Sequence, residues 1–403
     1  MLSKIVSNIT PSATCQLEGT VAAMKAAGID VVALNIGEPD YGTPILIKDA
    51  CKEALYAGKT TYVDTAGIPE LRNAICEKLE KDNHVIYDPK QICVSTGAKQ
   101  ALYNAVFAVT NPGDEVIIPT PSWVSYVEMV KMVGGIPVCV DTLPDNQLDL
   151  DAIAKAITEK TAAIIVNSPN NPTGAVYSRK SLEQLVDLAM QHDFMIISDE
   201  IYEKLIYGKA SHVCIASISP EAYDHCIVIN GMSKAYRMTG WRIGYSAAPM
   251  IYAEGIKSIQ GHVTTNSTTF VQWAAIEALR NGDASIKKMV EEFALRKDYA
   301  FKRLSAMRDV RCNDPEGAFY LLPDISAYFG KGNGERVIQD SFDMCDYILQ
   351  EVRVALVPGG AFLSPNTIRV AYTNSMACIK EGMDRIETCL LYTSPSPRDP
   401  KTS

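Results

Sequence analysis

Between roughly residues 90 and 250 the chain alternates short apolar runs with amphipathic stretches of helical length, and few architectures accept that rhythm. Ile92-Cys93-Val94-Ser95 predicts a strand and Lys99–Val109 a helix. Further strands are expected at Glu115–Pro119, Pro137–Val140, Ala162–Val166, Phe194–Ser198 and Cys226–Asn230. Helices at Ser122–Val133, Asp149–Ala156 and Ser178–His192 separate them. Apolar strands divided by helices are βαβ units, so the expectation is an α/β fold whose mainly parallel sheet is covered by helices on both faces. Right-handed crossovers then line up the C-terminal ends of the strands along one edge, where ligands bind.

The texture changes downstream. A long helical region spans about 270–307, strands are expected at Ala318–Leu322 and Ile368–Tyr372, and helices at Ser341–Glu351 and Met376–Thr388. This reads as a smaller α+β domain over 281–390, behind a large domain over 46–280. The segment 1–45 is too short to stand alone and is expected to pack with the smaller domain. At 403 residues the chain has room for two or three domains of roughly 150 residues each. Residues 391–403 carry three prolines and read as a disordered or non-native tail.

Composition removes several classes of function. With 38 Lys+Arg against 47 Asp+Glu, the net charge is −9, without the basic footprint of a nucleic-acid binder. No apolar run reaches about 18 residues, so no membrane span is expected, and the segment from Met1 to Pro11 lacks the apolar core of a secretory leader. The 11 cysteines form no C-x-x-C pair and mostly sit in apolar segments, which suggests reduced thiols in the cytoplasm. The 5 histidines are scattered, and no metal site is expected.

The chemistry gathers at strand ends. Phe194–Ser198 runs into Asp199-Glu200-Ile201-Tyr202, which puts a carboxylate at the binding edge; a helix cap is the plainer role for such an Asp. Ile227–Asn230 runs into Gly231-Met232-Ser233-Lys234, bringing a lysine to the same edge. Arg242 lies in the apolar, Gly-rich stretch Met238–Tyr245, where a buried guanidinium needs an anion such as phosphate. Thr96-Gly97-Ala98-Lys99 joins a strand to a helix, a turn that lets backbone N–H groups approach a phosphate. Asn167–Gly174 adds asparagines after another strand. The glycine-rich fingerprints of nicotinamide and nucleoside triphosphate sites are absent. A lysine nucleophile, a carboxylate, an anion cradle and an amide together suit pyridoxal 5′-phosphate. Its aldehyde takes an amine, its ring nitrogen wants a carboxylate, and its phosphate wants a helix terminus and an arginine.

Ordered motifs then carry a resemblance over about residues 10–390. They are Pro11-Ser-Ala-Thr14, Asn35-Ile-Gly37-Glu-Pro-Asp40, Tyr62 with Gly67-Ile-Pro-Glu-Leu-Arg72, Asn170-Asn-Pro-Thr-Gly174, Ser198-Asp-Glu-Ile-Tyr202, Ser233-Lys234, Gly240-Trp-Arg-Ile-Gly244, Pro315–Tyr320 and Ile368–Tyr372. The chain resembles the class I, fold type I, pyridoxal phosphate-dependent aminotransferases, in the branch typified by bacterial aspartate aminotransferases. The resemblance implies the three-layer fold of that group, a homodimer whose active sites are shared across the interface, and a ping-pong transfer between an L-amino acid and a 2-oxo acid.

It also implies roles. Lys234 would bind the cofactor aldehyde and shuttle the substrate proton; Asp199 would keep the ring nitrogen protonated; Asn171 and Tyr202 would hydrogen-bond the ring oxygen. Arg242, Ser233 and the backbone at Gly97, Ala98 and Lys99 would hold the phosphate, with Tyr62 reaching in from a neighbouring subunit. Trp123 would stack on the ring, and Arg369 would grip the substrate α-carboxylate, with Gly37 lying against the substrate. Lys99 and Thr14 could bind a distal carboxylate, which favours aspartate or glutamate with oxaloacetate or 2-oxoglutarate. Aromatic amino acids, prephenate, or a β-lyase or synthase reaction on the same fold remain as alternatives. A binding module without catalysis is the more distant one.

Overall fold

The computed structural model describes residues 2–395 except residue 335, with the backbone alone at 15, 394 and 395. Its centre is a seven-stranded sheet. In chain order the strands are β1 (Ile92–Ser95), β2 (Glu115–Thr120), β3 (Ile136–Asp141), β4 (Thr161–Asn167), β5 (Met195–Asp199), β6 (Cys226–Gly231) and β7 (Gly244–Ala247). The spatial order is β1-β7-β6-β5-β4-β2-β3, with β7 antiparallel to both neighbours and every other pair parallel. Each expected strand of this region forms, most of them shifted or extended by a residue or two; β7 adds a strand that the alternation of apolar runs did not announce.

Alternate residues of the strands feed two apolar layers, as the two-residue period of a pleated strand requires. Ile164 and Val166 face one layer with Leu71, Ile75 and Leu79 of helix Pro69–Asn83 and Leu182, Leu185 and Val186 of helix Arg179–His192. Ala163 and Ile165 face the other with Leu102 and Val106 of helix Ala98–Val109 and Ile256 of helix Met250–Val263. Both faces of the sheet are therefore dry, which is why its strands read as unbroken apolar runs.

A third apolar cluster joins Phe293, Leu304, Phe319, Met344, Ile348, Val370 and Met383 with Val32 and Leu34. Val32–Ala33 pairs in parallel with Val354–Ala355, and a three-stranded sheet forms from Tyr320–Leu321, Val357–Pro358 and Ile368–Ala371. The long helical region divides into Thr269–Asn281 and Asp283–Ala306 at Gly282. A Cβ there would overlap the Ala278 carbonyl and come within 2.8 Å of the Tyr236 ring, so the position suits glycine. The last helix runs through Tyr392, past the expected end at Thr388, and Ser394–Pro395 pairs with Lys331–Gly332. The rest of the tail, 396–403, lies outside the described residues.

Candidate active site

Six of the seven strands run one way, so the segments leaving β1, β2, β4, β5 and β6 emerge at a single edge. The reversed β7 starts at that edge, which delivers Arg242, two residues ahead of it, to the same place. A cavity of about 340 Å³ opens there and is lined by Thr14, Gly37, Ala98, Lys99, Trp123, Asn171, Asp199, Tyr202, Ser233, Lys234, Arg242 and Arg369. Gly97 abuts it through Arg242: a Cβ on Gly97 would overlap the guanidinium. Tyr62 is 86% exposed and lies outside the cavity of this single chain.

Lys234 Nζ donates to the Gly37 carbonyl at 2.7 Å. Burial lowers this ammonium to about 8; Arg369 and Arg242 act in the same direction, and Glu38 and Asp199 oppose them. At neutral pH roughly a tenth of the amine is then free, against well under a thousandth for an ordinary lysine. Asp199 ends β5 and is buried, and that burial pushes its carboxyl up to about 6. Two hydrogen bonds pull the other way: Oδ1 accepts from the Ile201 N–H at 3.2 Å and Oδ2 from the Tyr126 hydroxyl at 2.8 Å. The Tyr202 and Tyr320 hydroxyls meet at 3.0 Å.

Arg369 is 3% exposed and packs between the rings of Tyr320 and Phe362, 4.3 and 4.8 Å away. Nη1 donates to Asn171 Oδ1 at 3.0 Å and Nη2 to the Asn35 carbonyl at 2.9 Å, while Nε is buried without a hydrogen-bond partner. Both acceptors are neutral, so the guanidinium keeps a net demand for an anion. Lys99, exposed in the first turn of helix Ala98–Val109, carries its ammonium 4.6 Å over the Trp123 ring.

One expectation changes. Arg242 is exposed, not buried, because it sits with a left-handed φ of 56° in the turn before β7. There Nη1 donates to the Thr239 carbonyl at 2.8 Å. Beside it, helix Ala98–Val109 begins at Gly97 with no side-chain cap, an N-terminus whose N–H groups suit an anion. Gly244 makes that approach possible, since a Cβ there would overlap the backbone nitrogen of Ala98. Gly244→Ala is therefore expected to cost about 1–3 kcal/mol, read as a fall of a few degrees in Tm.

Sequence reasoning missed Glu18, Glu38, Tyr126, Thr239 and Tyr320, which also line the cavity together with Asn167. For Glu18 a signal existed: four residues after Thr14, it shares that residue's face of helix Ala13–Ala26. Among the described residues Glu200, Glu203 and His212 bring possible metal ligands within 4.8 Å of one another. The Lys78 ammonium bonds Glu203 there, and His212 Nε2 lies 3.0 Å from Glu200. These partners come from the protein itself.

The aminotransferase class I and II family matches residues 29–386. An aspartate aminotransferase of Bacillus sp. (strain YM-2) is 43% identical over 389 residues, 96% of this chain and 98% of its own length. An aspartate/prephenate aminotransferase of Cereibacter sphaeroides is 43% identical over 391 residues, with 96% and 98% covered. The solved structure of Thermus thermophilus aspartate aminotransferase with maleate matches at a TM-score of 0.91 and 39% identity, over 96% of this chain and 99% of the other. The Rhizobium meliloti aspartate aminotransferase matches at 0.94 and 35%, over 98% and 100%. With a lysine and a carboxylate gathered at one sheet edge and family likeness over nearly its whole length, this chain is an aminotransferase and belongs to the class I and II family.

Proposed function

We propose that the enzyme binds pyridoxal 5′-phosphate and transfers the amino group of aspartate or glutamate to a 2-oxo acid in two half-reactions. What carries this reading is the meeting, in one cavity, of an amine at about 8, a buried carboxyl, and an uncapped helix end beside a guanidinium. The residues present fit the group: Gly97, Ala98, Ser233 and Arg242 for the phosphate, Asp199 for the ring nitrogen, Asn171 and Tyr202 for the ring oxygen, Trp123 for the ring face and Lys234 for the aldehyde. When bound, the ring supplies an electron sink for the pair left by the broken Cα–H bond and a carrier for nitrogen between two acids.

The chain's own part is to place and move protons. Lys234 Nζ would take the proton from the substrate α-carbon and deliver it to the carbon that was the cofactor's aldehyde, and a free-amine fraction near neutrality suits that work. Asp199 would present its carboxylate to the ring nitrogen. Arg369 orients the substrate through its α-carboxylate, using the unpaired Nε and whatever Asn171 and Asn35 release. Lys99 and Thr14 then face the far end of the substrate, and relatives named for aspartate support an acidic side chain. Relatives named aspartate/prephenate aminotransferase add prephenate as a second oxo acid to test.

The same reading takes the enzyme as a cytoplasmic homodimer, with its ten described cysteines free and Tyr62 completing a partner's phosphate site. It divides the chain at 46–280 and 281–390. No described helix is long and apolar enough to cross a membrane.

The experiment is a half-reaction panel. Each amino acid is added singly to the holoenzyme and to Lys99→Ala, while the absorbance of the bound aldehyde is followed. Aspartate and glutamate should react fastest, and Lys99→Ala should raise the aspartate KM about tenfold while leaving alanine and tyrosine nearly unchanged. Equal loss across all four amino acids would remove the distal-carboxylate role.

A further inference from the structure

Asp199 is held at both oxygens, and the two holds differ in kind. The Ile201 N–H at Oδ1 belongs to the same turn and comes with the fold. The Tyr126 hydroxyl at Oδ2 arrives from helix Ser125–Met132, 73 residues earlier in the chain, at 2.8 Å. Both side chains are buried, with Tyr126 2% and Asp199 5% exposed. A buried phenol donating to a buried carboxylate is a charge-assisted bond in a low-dielectric setting, where it is strong and directional.

The Tyr126 ring has a second contact. It meets Trp123 edge to face, with centroids 5.4 Å apart and planes at 84°. One side chain therefore supports both the indole assigned to the ring face and the carboxylate assigned to the ring nitrogen.

We propose that Tyr126 is a positioning residue that fixes the rotation of the Asp199 carboxylate and holds it ionised towards the pyridine nitrogen. This rests on the cofactor reading given above. The charged and titratable groups facing Asp199 are Glu200, which disfavours its ionised form, and Lys234, which favours it; Tyr202 also faces it. Tyr177 faces Tyr126 itself. Tyr126 supplies the largest influence opposing the burial of Asp199, ahead of Lys234.

The test uses the full-length chain, first free of cofactor and then titrated with pyridoxal phosphate. Carboxyl ¹³C signals of labelled aspartate are followed against pH, with Asp199 assigned through Asp199→Asn. In Tyr126→Phe, which keeps the ring and its contact with Trp123, the Asp199 midpoint should rise by about one pH unit. The Kd for pyridoxal phosphate should weaken about tenfold. Fluorotyrosine placed at 126 keeps the shape and strengthens the donor, so the midpoint should move down. An Asp199 midpoint that stays put in both variants, with cofactor affinity unchanged, overturns the role of Tyr126. A wild-type protein that takes up no pyridoxal phosphate overturns the cofactor reading, and the carboxyl titration shows independently whether Tyr126 governs Asp199.

Discussion

Lys234→Ala should abolish amino transfer, with a loss of at least about 10⁴-fold in kcat, because one side chain supplies both the covalent hold and the mobile proton. Lys99, the other lysine lining the cavity, cannot take over from where it stands, since its Nζ lies over the Trp123 face. The fold should survive, since the substitution removes a cation that burial disfavours and that Arg369 and Arg242 repel. Two measurements check this. Steady-state turnover with aspartate and 2-oxoglutarate should fall to background while Tm stays within a few degrees of the wild type. Borohydride should fix a pyridoxyl adduct on the peptide holding residue 234 in the wild type and on no peptide in the variant. Substantial turnover by the variant would sink the assignment of the nucleophile.

Arg369→Ala should lower kcat/KM for amino acids by about 10²–10³-fold, the range for losing one partner of a buried, hydrogen-bonded charge pair. The guanidinium is enclosed, its hydrogen bonds run to an amide and a backbone carbonyl, and burial lowers its pKa from the usual value. It is thus a buried cation awaiting a carboxylate. Arg369→Lys should rescue little, because a single ammonium cannot reproduce the planar fork between Tyr320 and Phe362. Primary amines without a carboxylate should lose far less, and that comparison separates recognition from misfolding. If such amines suffered as much as aspartate, the residue would be structural.

Much of this site is legible in the sequence because its chemistry follows strands. Asp199 closes β5 and Lys234 follows β6 by three residues, so recognising apolar runs is enough to place them on one edge. The strand β7 escapes because Gly-Tyr-Ser-Ala is short and carries no β-branched residue, and its reversal has no signature within the segment itself. Without β7 there is no reason for Arg242 to reach the site, and its apolar neighbours suggest an interior when it stands in an exposed turn. Tyr126 and Tyr320 are buried, and their hydroxyl partners lie 73 and 118 residues away, a relation that periodicity does not encode. The strands Tyr320–Leu321 and Ile368–Ala371 lie within the two apolar runs expected there.

The ribbon from Asn35 to Gly37 hangs from three hooks: Arg369 at the Asn35 carbonyl, Thr373 at that of Ile36 and Lys234 at that of Gly37. Whatever draws the lysine nitrogen elsewhere unhooks one end and leaves the ribbon held by Thr373 and Arg369. Chemistry at a single nitrogen is thereby tied to the end of a backbone ribbon that lines the cavity.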